Sequence, residues 1–123
     1  MENQNEIYLE EYRTFISSYK RGDTSGEQIG EVISRMAQYF AEKNMVLGVR
    51  TEQLNRVAAE KVQETDENTG KPISVAKASL IIQATEEARN VRKIKIHIEN
   101  IEQFINALKY LQKGILNEYA HMG

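Results

Sequence analysis

Cysteine and tryptophan are absent from this 123-residue chain, and proline occurs once, at Pro72. Without cysteine there is no disulfide framework, thiolate metal site or thiol nucleophile, and a reducing compartment fits best. With a single proline and long stretches of charged and apolar periodicity, the turn signals that an all-β chain needs are missing. No apolar run approaches the roughly 18 to 20 residues of a membrane span, so no membrane contact is expected. The opening residues MENQNEIYLEEY are acidic and contain no apolar core, so they do not read as a secretory signal. An excess of either charge is also lacking: 16 Lys and Arg stand against 18 Asp and Glu. Contact with nucleic acid must therefore come from a local patch.

What is present reads as helix. Hydrophobic residues at 41% and charged residues at 28% suit a soluble domain, and the length suits one domain with a modest core. Ile7, Leu9, Tyr12, Phe15, Ile16 and Tyr19 recur at steps of three and four, predicting a first helix over about 5–20. Acids at its start, Lys20 and Arg21 at its end and Gly22 beyond complete it. Thr24 or Ser25, with Glu27 or Gln28 three residues on, forms a capping box for a second helix carrying Ile29, Val32, Ile33, Met36 and Phe40. That helix is expected to end near Asn44, break through MVLGV at Gly48, and give way to a third over about 51–64.

After a turn at 65–72, a heptad register runs from Ile73. Ile73, Leu80, Ile94, Ile101, Leu108 and Ile115 fall at d; Lys77, Ala84, Val91, Ile98, Ile105, Gln112 and Tyr119 fall at a. It predicts one long helix over 73–119, roughly 70 Å at 1.5 Å per residue. Period-two alternation at Ile94 to Ile98 is strand-like, but its flanks are helical and it reads as helix. The expected fold is all-α: three shorter helices on one long C-terminal helix, a bundle with coiled-coil character in a single domain. Ile82 and Ile96 lie outside the seam. With Ile98 and Ile105 they form the expected interface of a homo-oligomer.

TGKPIS, at 69–74, pairs glycine, lysine and serine as phosphate loops do. A Walker-type loop needs another glycine five residues before Gly70, where Thr65 stands, and a hydroxyl after Lys71, where Pro72 stands. The same residues instead make a turn, with Pro72 leading into a helix capped by Ser74. Glu118-x-x-His121 has di-iron spacing, but His97 has Ile94 three residues before it, so the second pair is missing. Nucleophile elbow, HExxH and dinucleotide turn are all lacking. A non-catalytic protein with no metal and no cofactor is expected. Tyr8, Tyr12 and Tyr19, interleaved with basic residues, read as core more than as a base-stacking platform.

The best functional candidate is Arg89, Arg92, Lys93 and Lys95, with no acid between Arg89 and His97. Such a ridge suits a phosphate backbone. The stretch from Lys71 to His121, with Ala84-Thr85-Glu86-Glu87, Asn100-Ile101-Glu102-Gln103 and Ala107-Leu108-Lys109-Tyr110-Leu111-Gln112, resembles the C-terminal half of small helical proteins of tailed phages of gut bacteria. That resemblance implies a phage setting and the host cytoplasm, and no particular activity. Three roles are expected in order: an accessory factor touching single-stranded DNA or another polyanion; a structural or adaptor protein, as a virion component or an inhibitor of a host protein; and a small-nucleotide trap at a subunit interface.

Overall fold

A computed structural model describes residues 7–122, with side chains described for 7–118. It contains four helices: α1 (Ile7–Lys20), α2 (Gly26–Lys61), α3 (Val75–Gln83) and α4 (Glu86–Met122). Among the described residues there is no strand, only an isolated antiparallel bridge between Thr65 and Pro72. The helices group into two compact units, one of residues 1–43 and 97–123, the other of 44–96. Both α2 and α4 contribute a part to each.

The first unit is a three-helix bundle. Its caps follow from the sequence. Gly22, at φ +79°, closes α1 in a Schellman arrangement: its amide reaches the Tyr19 carbonyl, and the Asp23 amide reaches Ser18. Ser25 opens α2 through the expected box, its amide donating to Gln28 Oε1 at 2.8 Å while the Gln28 amide donates back to the Ser25 hydroxyl. Tyr8 and Phe15 of α1, Ile29, Val32 and Met36 of α2, and Ile101 and Leu108 of α4 form the core. Glu11 ties α1 to α2 by accepting from Tyr39 Oη at 2.7 Å and from Arg35 Nε. The seam positions Ile94, Ile101 and Leu108 are buried within this one chain. Ile105, expected at an oligomer interface, is half-buried against the same core.

In the unit of 44–96 two expected boundaries are corrected. There is no break at Gly48: α2 is continuous for 36 residues. A helical glycine costs only about 1 kcal/mol relative to alanine. The flanks AEKN and LNRVAAEK are strong helix formers, and they carry the helix through. The long helix over 73–119, by contrast, is divided at Ala84 and Thr85. The Thr85 hydroxyl donates to the Ile82 carbonyl at 2.6 Å and accepts from the Ala88 amide at 3.2 Å. Glu86 and Glu87 then occupy the first turn of α4, where carboxylates suit the helix dipole. Thr85-Glu86-Glu87 is thus a helix start inside an apparently unbroken heptad pattern. One consequence is that Leu80, a nominal d residue, is 70% exposed. Ile94 to Ile98 is helical, within α4.

Because Leu108 is fully buried and Leu116 is 63% exposed, the two leucines should respond differently to truncation. Leu108→Ala is expected to destabilise by about 3 kcal/mol, and Leu116→Ala by less than about 0.5. Urea denaturation followed by circular dichroism measures both. Equal losses would contradict a core built on the Ile101 and Leu108 side of α4.

Candidate polyanion-binding face

The chain between α2 and α3 closes on itself. The Asp66 amide donates to the Lys71 carbonyl at 2.8 Å, the Gly70 amide to the Asp66 carbonyl at 2.8 Å, and the Ile73 amide to the Glu64 carbonyl at 3.1 Å. Gly70 takes φ +69°, a left-handed conformation that favours glycine. The Asn68 amide goes to Asp66 Oδ1 and the Lys71 amide to the Thr69 hydroxyl. Every amide of Asn68, Gly70 and Lys71 is therefore used inside the turn, and Pro72 has none to give. A phosphate cradle needs those same donors free. Ser74 caps α3 as expected, its hydroxyl accepting from the Lys77 amide.

The four basic residues read from the sequence lie within the first three turns of α4, all exposed. One helical turn is 3.6 residues, so Arg89, Arg92, Lys93 and Ile96 share a face, with Lys95 at its edge. Ile96 sits among the three cations and is 55% exposed. The division at Thr85 gives this face a second feature. Arg89 Nη1 donates to the Ala84 carbonyl at 3.1 Å, and Arg92 Nη1 to the Gln83 carbonyl at 3.2 Å. Those carbonyls end α3, where the helix carries partial negative charge. The two guanidiniums are thereby held in place at a cost of one N–H each, and a guanidinium has five.

Among the described residues none of the four has a carboxylate partner. Elsewhere ion pairs join Arg21 to Asp23, Arg35 to Glu11, Arg56 to Glu52, Lys61 to Glu64 and Lys77 to Asp66. Charge is also unevenly divided along the chain. Residues 44–96 hold nine Lys and Arg against seven Asp and Glu, and the remainder holds seven against eleven. The face thus belongs to the basic unit of a nearly neutral protein.

The other candidates resolve differently. Tyr12 stacks on Phe104, with centroids 3.9 Å apart and planes 5° from parallel, and burial raises its phenol pKa. Tyr8 is buried with its hydroxyl 2.6 Å from His97 Nδ1 and within reach of Asn100 Nδ2. These rings are core, not a platform for bases. The His121 side chain lies outside the described residues, and among those described no cluster of three His, Asp or Glu could hold a metal. Of the residues expected at an oligomer interface, Ile82 and Ile98 are half-buried and Ile96 is exposed. Sequence reasoning missed the carbonyl anchors of Arg89 and Arg92; the Thr-Glu-Glu helix start was the available signal. Comparison with protein-family models, with curated proteins and with solved structures finds no match.

Asp66 organises the turn, and its carboxyl is held below its ordinary value of 3.8, first by the Lys77 ammonium and then by the Asn68 amide. A depressed carboxyl stabilises the fold above its unfolded pKa, and that contribution is lost as pH falls through the folded value. The Asn68 and Gly70 amide resonances should therefore shift at a pH below that at which an unperturbed aspartate titrates. Lys77→Met should move that midpoint upward. An unchanged midpoint in an NMR titration would show the pair to be unimportant for the turn.

Proposed function

We propose that this is a non-catalytic helical interaction protein, phage-encoded, which contacts single-stranded DNA or a comparable polyanion through Arg89, Arg92, Lys93 and Lys95. The observation that carries this reading is the lack of any carboxylate partner for these four exposed cations, two of them pre-oriented by the end of α3. Surface cations usually lie near acids that screen them; here the neighbouring helix end supplies carbonyls instead, which orient the groups without cancelling their charge. The face is short, about 9 Å from Arg89 to Lys95 at 1.5 Å per residue. It spans few phosphates on one copy.

A second reading, as a structural or adaptor protein, draws on a different observation. Exposed large apolar side chains concentrate in residues 44–96, among them Met45, Val49, Val75 and Leu80. Patches of that kind mark protein contacts.

Fluorescence anisotropy with a labelled oligothymidylate separates the two. On the polyanion reading, log affinity falls linearly with log salt, with a slope no steeper than about −3 for four contacts to a single strand. Arg92→Glu with Lys93→Glu abolishes binding while the circular dichroism stays helical. Absence of binding at low salt, or an undiminished affinity in the double variant, would overturn the reading in favour of the adaptor role.

A further inference from the structure

Beside the basic face, and within the same unit of 44–96, α2 and the start of α4 enclose an open groove of about 440 Å³. Arg50, Gln53 and Arg56 of α2 line one wall, Glu86, Glu87 and Asn90 of α4 the other, and Val57 adds an apolar contact. The walls carry opposite charge, yet no ion pair crosses between them. Each arginine instead bonds along its own helix, Arg50 Nη1 to Gln53 Oε1 at 3.2 Å and Arg56 Nη2 to Glu52 Oε1 at 2.8 Å. Glu87 and Asn90 are half-buried, and among the described residues their side chains have no partner. Their hydrogen-bonding capacity is open to a ligand.

We propose that this groove takes a guanine base of the single strand whose phosphates lie on Arg89, Arg92, Lys93 and Lys95. The proposal rests on the polyanion reading for the strand and adds to it a preference among bases. Position is the first argument. Glu86, Asn90 and Lys93 follow at i, i+4 and i+7 and form one stripe of α4. Asn90 and Lys93 are therefore surface neighbours, roughly 5–6 Å apart at Cβ, and a nucleotide with its phosphate on Lys93 has its base beside Asn90. Chemistry is the second. A guanidinium only donates and a carboxylate only accepts, so the occupant must accept along one edge and donate along another. Guanine presents N7 and O6 as acceptors on one edge, and its N1–H and N2 amino group as donors on the next. Arg50 meets the first edge with two bonds, and Glu87 the second with two. Adenine and cytosine offer a carboxylate only an exocyclic amine, and thymine only a ring N–H.

Size and charge agree with that occupant. Small-molecule sites begin at about 300 Å³, and an open groove admits a base while its sugar and phosphate stay outside. Two arginines face two glutamates, so the groove is neutral, unlike the face beside it. A neutral base displaces no counterions, whereas phosphates on lysine and arginine do. The groove therefore adds discrimination that salt does not screen to an affinity that salt does.

Anisotropy compares a labelled oligothymidylate with the same strand carrying one central deoxyguanosine. The guanine strand should bind roughly tenfold tighter, and that ratio should hold as salt rises while both affinities fall. Deoxyinosine, which lacks the N2 amine, should lose most of the gain. Glu87→Gln and, separately, Arg50→Gln should bring the ratio close to one with circular dichroism still helical. The side-chain amide resonances of Gln53 and Asn90 report the groove without any strand: dGMP should shift them saturably, and thymidine monophosphate should not. Should oligothymidylate fail to bind, the polyanion reading falls and the dGMP shifts decide the groove. A guanine strand no tighter than oligothymidylate, a ratio unchanged in both variants, or no dGMP shift at Asn90 would each overturn the base proposal. Binding of dGMP as tight as that of the guanine strand would overturn the strand as the source of the base.

Discussion

The Thr85 hydroxyl, donating to Ile82 and accepting from Ala88, divides a heptad pattern into two helices. Much of the rest depends on that division. A helix continuous through 84 and 85 would use the Gln83 and Ala84 carbonyls in its own i to i+4 ladder. Ending α3 there leaves them as unsatisfied acceptors, which helix ends must place somewhere. Arg89 and Arg92 supply the donors. The cost is that both arginines sit near the start of α4, where its own dipole disfavours positive charge. The opposed dipole end of α3 offsets this.

How far the sequence could be read follows from which signals are local. Gly22, Ser25 with Gln28, and Ser74 each act within a few residues, and each was legible as a cap. The buried stripe of Ile94, Ile101 and Leu108 was legible as a period. Gly48 misled because a single weak helix former is outweighed by good ones on both sides. Thr85 misled for the opposite reason. Its signal is one side chain set against seven turns of pattern, and apolar spacing continued across the break. The residue types of the basic face were plain in the sequence. Their carbonyl anchors were not, because those acceptors exist only once α3 ends.

Near-neutral net charge concealed a partition as well. The unit of 44–96 is basic and the remainder acidic, and the acids nearest in sequence to the ridge do not quench it. Glu86 stands three residues before Arg89, a spacing that permits an ion pair, yet among the described residues neither Glu86 nor Glu87 pairs with Arg89 or Lys93. Fixing a long side chain before it meets an anion removes part of the rotamer entropy that binding otherwise costs, on the order of 0.5–1.5 kcal/mol per side chain. On the proposed polyanion reading, the two arginines held by carbonyls supply orientation and the two lysines supply charge.

Helix α3 links the Asp66 turn to the start of the basic face. At nine residues it is shorter than the roughly 12 to 15 that make an isolated helix even marginal in water, so it depends on Ser74, on the turn anchored by Asp66 and on its contacts. Its C-terminal carbonyls order the arginines only while it is folded. On the proposed polyanion reading, an anion that requires oriented guanidiniums selects folded α3 and so stabilises it; by linkage, whatever stabilises α3 strengthens that binding by the same factor.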